Sequence, residues 1–225
     1  MFFPIGDTNI KNGTKPFFAY ALIAINIWLF VKQIYMPAAE QQSYVLMYGC
    51  IPSEIMHAQD LGTLFTNMFL HGGWSHLIGN MLFLWIFGDN IEATIGYFKF
   101  ILFYLIGGVV ASLTHVYFNM GSVVPSIGAS GAISACLGAY LVMFPTSKVK
   151  VFVLFLLSSV RVPAILFLGI WIAQQFMSGY GNLGKTIVGD NVAYWAHIGG
   201  FVYGVLGGLL FKSKAVAILK KERGY

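Results

Sequence analysis

The chain has 225 residues, of which 58% are hydrophobic and 9% charged, and its mean hydropathy is +0.76. A soluble domain carries roughly 25% charged residues, so the composition excludes an ordinary soluble protein and points to an integral membrane protein. The net charge of +5 is better explained by membrane topology than by nucleic acid, and two cysteines, Cys50 and Cys136, are too few for a disulfide framework.

Residues 1–16 are polar and turn-rich, with Asp7 and no Arg-rich amphipathic pattern. They match neither a cleaved signal peptide nor an organellar presequence and are expected as a short cytoplasmic N-terminus. Six apolar runs follow, at about 17–36, 74–95, 98–118, 129–144, 163–178 and 192–211. Each approaches the roughly 20 residues of a bilayer crossing, although the fourth and fifth are short. Residues 37–73 form a long first outer loop without Lys or Arg, rich in Tyr, Met, Leu and Phe, which suits the outer-leaflet interface. The apolar stretch Val149–Val160 is bracketed by Pro145 and Pro163 and is read as an interfacial or partly re-entrant connection; a seventh crossing is the alternative. The expected organisation is a six-span domain over 17–211 and a basic cytoplasmic tail over 212–225, an all-α membrane bundle.

Loop charges orient the bundle. With both termini cytoplasmic, that side holds Lys11, Lys15, Lys99, Lys148, Lys150, Arg161, Lys212, Lys214, Lys220, Lys221 and Arg223. The outer side holds only Lys32 and Lys185. Such an excess follows the positive-inside rule, and the opposite orientation inverts it.

This orientation brings polar residues to one depth. His76 and Asn80 share a face in the first turns of span two, Ser130 opens span four, and His197 lies slightly deeper in span six. Polar groups inside a bilayer are costly and tend to be functional. Ala196, Gly200, Gly204 and Gly208 recur every four residues on span six, as do Gly131, Ala135 and Ala139 on span four. Small-residue ridges of this kind allow close helix approach in lipid, which favours a pairing of Ser130 with His197 as nucleophile and general base. The open N–H groups at the start of span four, with His76 and Asn80, are candidate oxyanion donors. No Asp or Glu is placed to orient His197: Asp190 lies outside its span, and Glu92 lies near the cytoplasmic end of span two. A dyad is therefore expected rather than a triad.

Other readings stand beside this one. Gly-Ala-Ser-Gly in a span is, alone, more often a packing patch than a nucleophile. His71, His76, His115 and His197 all fall on the outer side, so a histidine metal or haem site is an alternative. It lacks an H-E-x-x-H pattern or a Cys/His cluster, and neither metal nor other cofactor is expected. Glu92 reads as a hydrogen-bonded anchor, His57 as a loop residue and His115 as a polar helix-end residue.

Four motifs in order then carry a resemblance. H-G-G-W-S-H-L-I-G-N from His71 to Asn80, G-D-N-I-E ending at Glu92, G-A-S-G-A-I-S around Ser130 and A-H-I-G-G-F around His197 resemble rhomboid intramembrane serine proteases. The similarity runs from about Tyr48 to Gly208. A lone G-x-S-G is weak evidence; four motifs on six spans are highly specific. The resemblance implies Ser130 as nucleophile, His197 as base, and an oxyanion hole from His76, Asn80 and the Ser130 N–H. It also implies His71 as a residue of the water-accessible cavity and Glu92 as a structural glutamate. Gly128 and Gly131 belong to the nucleophile motif, Gly200 and Gly204 to the packing ridge. Two departures stand out. Ser134 occupies the position where some members stack a tyrosine on the base, so base orientation must differ. The first loop also contains no arginine, so a Trp-Arg pair found in some members has no counterpart. The overall pattern resembles the minimal six-helix prokaryotic form.

The leading functional reading is a cofactor-free protease that cuts transmembrane segments of other proteins near their outer end. Its partners are the bilayer and such segments, with no nucleic acid, and its place is the prokaryotic plasma membrane. The alternative is a non-catalytic rhomboid-like binder of membrane segments. A transporter or metal-binding protein lacks the paired intramembrane charges or ligand cluster it needs.

Overall fold

The computed structural model describes residues 2–8, 10, 13–154, 157–182 and 192–222. Lys11, Lys185, Asp190 and Arg223, which entered the charge and site arguments above, lie outside the described residues.

Strand β1 (Phe2–Gly6) leads to helix α1 (Phe18–Ile34) and three short helices, α2 (Ala38–Tyr48), α3 (Pro52–Met56) and α4 (Thr63–Thr66). Helix α5 (Trp74–Phe83) continues through a π-helical turn at Leu84–Gly88 into α6 (Asp89–Ile95). Helices α7 (Tyr97–Phe118) and α8 (Ser130–Met143) follow, then strands β2 (Lys148–Val153) and β3 (Ser158–Pro163), and helices α9 (Ala164–Gly181) and α10 (Tyr194–Glu222). Helices α7 and α10 are each long and apolar enough to cross a membrane; α1 and α8 are shorter apolar helices.

Helix α8 is the hub. Ala132, Ala135, Cys136, Leu137, Ala139 and Tyr140 are each at most 1% exposed, as befits a helix apolar on every side. It packs on α7, α9, α10 and the π-helical turn. The small-residue ridges meet here: a Cβ on Gly200 would collide with the Gly131 carbonyl oxygen, and one on Gly204 with that of Ala135. Gly208 stands against Ala139. A Cβ on Gly131 would come within 2.7 Å of the Ala111 methyl of α7.

The structure departs from the all-α expectation. β1, β2 and β3 form an antiparallel sheet in that order, with Phe3 opposite Phe152 and Val151 opposite Val160. Residues 1–16 are therefore not merely a turn-rich terminus, and the 149–160 stretch is largely a strand pair. Val149, Val151 and Val153 are buried while Lys148 and Lys150 are exposed, a period-two alternation that the apolar composition of this stretch conceals. Helix α10 runs unbroken through most of the basic tail to Glu222, because Lys212–Glu222 contains no Gly or Pro and turns Ala215 into the core.

Two acidic side chains tie the N-terminal segment to this core. Helix α1 has no side-chain cap of its own. Buried Glu92 supplies one, with Oε1 accepting the N–H groups of Phe17 and Phe18 at 3.0 and 2.8 Å. Its Oε2 accepts that of Ala19 at 2.8 Å, so a negative charge faces the positive end of a helix. Asp7 accepts hydrogen bonds from Tyr140 of α8 and, at 3.1 Å, from Asn90 of α6.

Candidate active site

Ser130 is the first residue of α8, reached through Gly128, whose φ of +125° suits only glycine. The turn before it is held in place: the Gly128 N–H donates to the Asn67 carbonyl at 2.9 Å. Asn67 is itself fixed by hydrogen bonds to the Thr63 carbonyl and the Ser112 hydroxyl. The first bond of the helix runs from the Ile133 N–H to the Ala129 carbonyl. The N–H groups of Ser130, Gly131 and Ala132 thus form the open, positive end of α8.

His197 lies in the first turn of α10, on the helix whose glycines meet α8. Its Nε2 is 2.8 Å from Ser130 Oγ. This is hydrogen-bond distance for a hydroxyl and a base.

Two further side chains converge on the same turn. A Cβ on Gly128 would stand 2.6 Å from His76 Nε2 and 3.6 Å from Asn80 Nδ2. The Gly72 N–H donates to His76 Nδ1 at 3.4 Å, which makes Nε2 the protonated nitrogen facing Gly128. Asn80 Nδ2 is buried without a hydrogen-bond partner. Two side-chain donors therefore face the backbone immediately before Ser130, and one has nothing in the resting protein to bind.

His71 lies further back, fully buried, with its ring 5.1 Å from that of His76 and edge-on to Phe30. Gln33 holds its carbonyl at 3.0 Å. Burial, reinforced by His76, pushes the His71 ring down to about 3, so it stays neutral. Glu92 is not at this site; it caps α1. His115 bonds instead to Asn119 at the end of α7. Among the described residues no group of three His, Cys, Asp or Glu side chains is arranged to hold a metal ion.

The sequence placed a span at 163–178 but gave it no part in this site, and α9 contributes two side chains to it. Gln175 Oε1 is 2.8 Å from His197 Nδ1, and the Trp171 ring lies 5.8 Å from the His197 ring at 35°. Ser134 turns away, its hydroxyl donating to the Ser130 carbonyl at 2.6 Å. The available signal was a polar pair, Gln174 and Gln175, in an otherwise apolar span.

Residues 58–214 match the family model described as the rhomboid domain. The chain is 32% identical over 179 residues to the rhomboid protease GluP of Bacillus subtilis (strain 168), covering 80% of this chain and 34% of that protein. It is 30% identical over 210 residues to rhomboid protein 1, mitochondrial, of Saccharomyces cerevisiae, covering 91% and 56%. RHOMBOID-like protein 1 of Arabidopsis thaliana is 32% identical over 173 residues, covering 77% and 39%. The chain spans only part of the length of these relatives. With the domain match covering well over half of its residues, the chain belongs to the rhomboid family of integral membrane proteins.

Proposed function

We propose that the chain is an intramembrane serine endopeptidase with Ser130 as nucleophile and His197 as general base. The observation that carries this reading is the 2.8 Å separation of Ser130 Oγ and His197 Nε2. In the proposed reaction Oγ attacks the scissile carbonyl carbon while Nε2 takes the hydroxyl proton. The carbonyl oxygen becomes an oxyanion held by the open N–H end of α8 with His76 Nε2–H and Asn80 Nδ2–H. Collapse breaks the C–N bond, and the imidazolium returns its proton to the leaving amine. Water, deprotonated by the same nitrogen, then releases the acyl group and restores Ser130.

The proposed substrates are transmembrane segments of other proteins, cut near the outer face. A regular helix hides its carbonyls within its own hydrogen bonds, so helix-breaking or small residues at the cut favour cleavage. The six apolar helical stretches are proposed as six crossings within a domain over 17–211, with both ends of the chain cytoplasmic. Sheet pairing supports this independently of charge. β1 bonds to β2, so residues 6 and 148 share one side of the membrane, which requires an even number of crossings between them. The four apolar stretches in that interval satisfy this parity. We assign the protein to a prokaryotic plasma membrane on the positive-inside pattern.

The test is labelling with an active-site-directed fluorophosphonate alongside cleavage of a reporter transmembrane substrate, in the parent and in Ser130→Ala. Labelling and cleavage are both expected in the parent and both lost in the variant. A folded parent that binds the reporter but neither reacts nor cuts would favour a non-catalytic binder. Cleavage by Ser130→Ala within tenfold of the parent would overturn the nucleophile assignment.

A further inference from the structure

We infer that Gln175 is the positioning residue of the base, a neutral third member that fixes the tautomer of His197 and ties it to α9. This rests on the proteolytic reading of Ser130 and His197. For Nε2 to accept the serine proton, the imidazole must carry its own proton on Nδ1, and Nδ1 then needs an acceptor. Gln175 Oε1 supplies one at 2.8 Å, from a side chain that is 7% exposed.

The amide has two ends, and only one serves. Gln175 Nε2 is 3.4 Å from the Trp171 carbonyl one turn earlier and donates to it. This hydrogen bond turns the oxygen toward His197. The reversed amide would set oxygen against oxygen at Trp171 and present N–H to Nδ1. It would force the imidazole proton onto Nε2 and leave Ser130 facing a donor rather than a base. Trp171 thus acts twice, its carbonyl choosing the end of the Gln175 amide and its tilted ring packing beside the imidazole. The side chain at Ser134 does neither, since its hydroxyl is committed to the Ser130 carbonyl.

A neutral acceptor differs from a carboxylate in a measurable way. It orients the imidazole without stabilising the imidazolium by a full charge, so an introduced carboxylate should announce itself in the pH profile.

The experiment compares Gln175→Leu and Gln175→Glu with the parent, by steady-state cleavage from pH 5 to 9, fluorophosphonate labelling rate and thermal unfolding in the same detergent. Gln175→Leu removes the acceptor at similar size. It should lower kcat on the order of 10- to 100-fold with little change in KM and slow labelling in proportion. That is less than the roughly 10⁴-fold lost where a wrong tautomer is imposed beside a serine nucleophile. Gln175→Glu keeps the acceptor, so it should retain much of the activity while the acid limb of its profile moves to higher pH by about one unit or more. A residue that merely packs would change unfolding and would leave the acid limb of Gln175→Glu where the parent has it. An unmoved acid limb in an active, folded Gln175→Glu, or parental kcat in Gln175→Leu, overturns the inference. A parent that is neither labelled nor active overturns the proteolytic reading instead, so the two failures are distinguishable.

Discussion

A methylene on Gly204 has nowhere to go, because the carbonyl oxygen of Ala135 on the facing helix already occupies the position. The backbones of α8 and α10 meet through these small residues, and the same contact carries Ser130 toward His197. Gly204→Leu is therefore expected to force the helices apart. Overpacking of this kind costs about 1–3 kcal/mol or more, and a displacement of about 1 Å at reacting groups can itself cost roughly 10²-fold in rate. Thermal unfolding and cleavage, measured on the same purified protein, should both fall. Leucine at exposed Ala217, further along α10, should change neither. Unchanged melting and activity in Gly204→Leu would place the contact elsewhere.

The two side chains facing Gly128 should matter to the transition state more than to binding. His76→Ala and Asn80→Ala are each expected to lower kcat with KM nearly constant. The double variant should lose on the order of 10²–10³ in kcat if they supply the side-chain half of the oxyanion hole. Asn80 Nδ2 has no partner to lose in the resting protein, so Asn80→Ala should scarcely alter the melting temperature. A double variant with parental turnover would remove both residues from the site.

Glu92 offers the opposite signature, stability without chemistry. Its carboxylate receives three backbone N–H groups. Glu92→Ala leaves all three unpaired, with the Ala19 N–H fully buried, at about 1–3 kcal/mol for a buried unsatisfied group before relaxation and less for the part-buried N–H groups of Phe17 and Phe18. Glu92→Gln keeps one acceptor oxygen and should lose less. Both should bind fluorophosphonate at the parental rate at temperatures where they remain folded.

Docking of the N-terminal segment should depend on pH. Burial raises the Asp7 carboxyl from 3.8 to about 6, partly opposed by the hydrogen bonds from Tyr140 and Asn90. A carboxyl raised in the docked state contributes fully below about pH 4, and that contribution is lost as pH rises through about 6. His76 on α5, Asp89 and Glu92 on α6, Tyr140 on α8, and Lys148 and Lys150 on β2 are among the titratable groups of the elements packed on this segment. Hydrogen exchange at residues 2–8, corrected for its intrinsic pH dependence, should report greater protection at pH 5 than at pH 7.5. Asp7→Asn should flatten this difference. An unchanged difference in Asp7→Asn would assign it to one of the other groups.

What the sequence revealed follows the range over which its signals act. The glycine ridges could be read from four-residue spacing because a helix places such positions on one face. The starts of α5, α8 and α10 could be compared because orientation alone sets their depth. Gln175 escaped notice because an amide announces no chemistry until the imidazole it faces is known, and that imidazole lies 22 positions away. The sheet escaped because neither edge is informative alone. β1 is five residues long, and the alternation in β2 lies within a run apolar enough to pass for a membrane-interface segment.

The order of the sheet also constrains how the chain is assembled. β1 is synthesised well before β2, and the Thr8 hydroxyl ultimately bonds to the Lys148 carbonyl, 140 positions later. At roughly 5–20 residues per second, the strand remains an unpaired edge for on the order of ten seconds while helices α1 to α8 are laid down behind it. It can be satisfied only after α8 is in place, because Tyr140 and β2 are its partners. A nascent or misthreaded chain therefore leaves unpaired a strand that the finished one pairs with β2. Protease sensitivity of that strand, followed during synthesis, becomes a clock for the completion of the bundle.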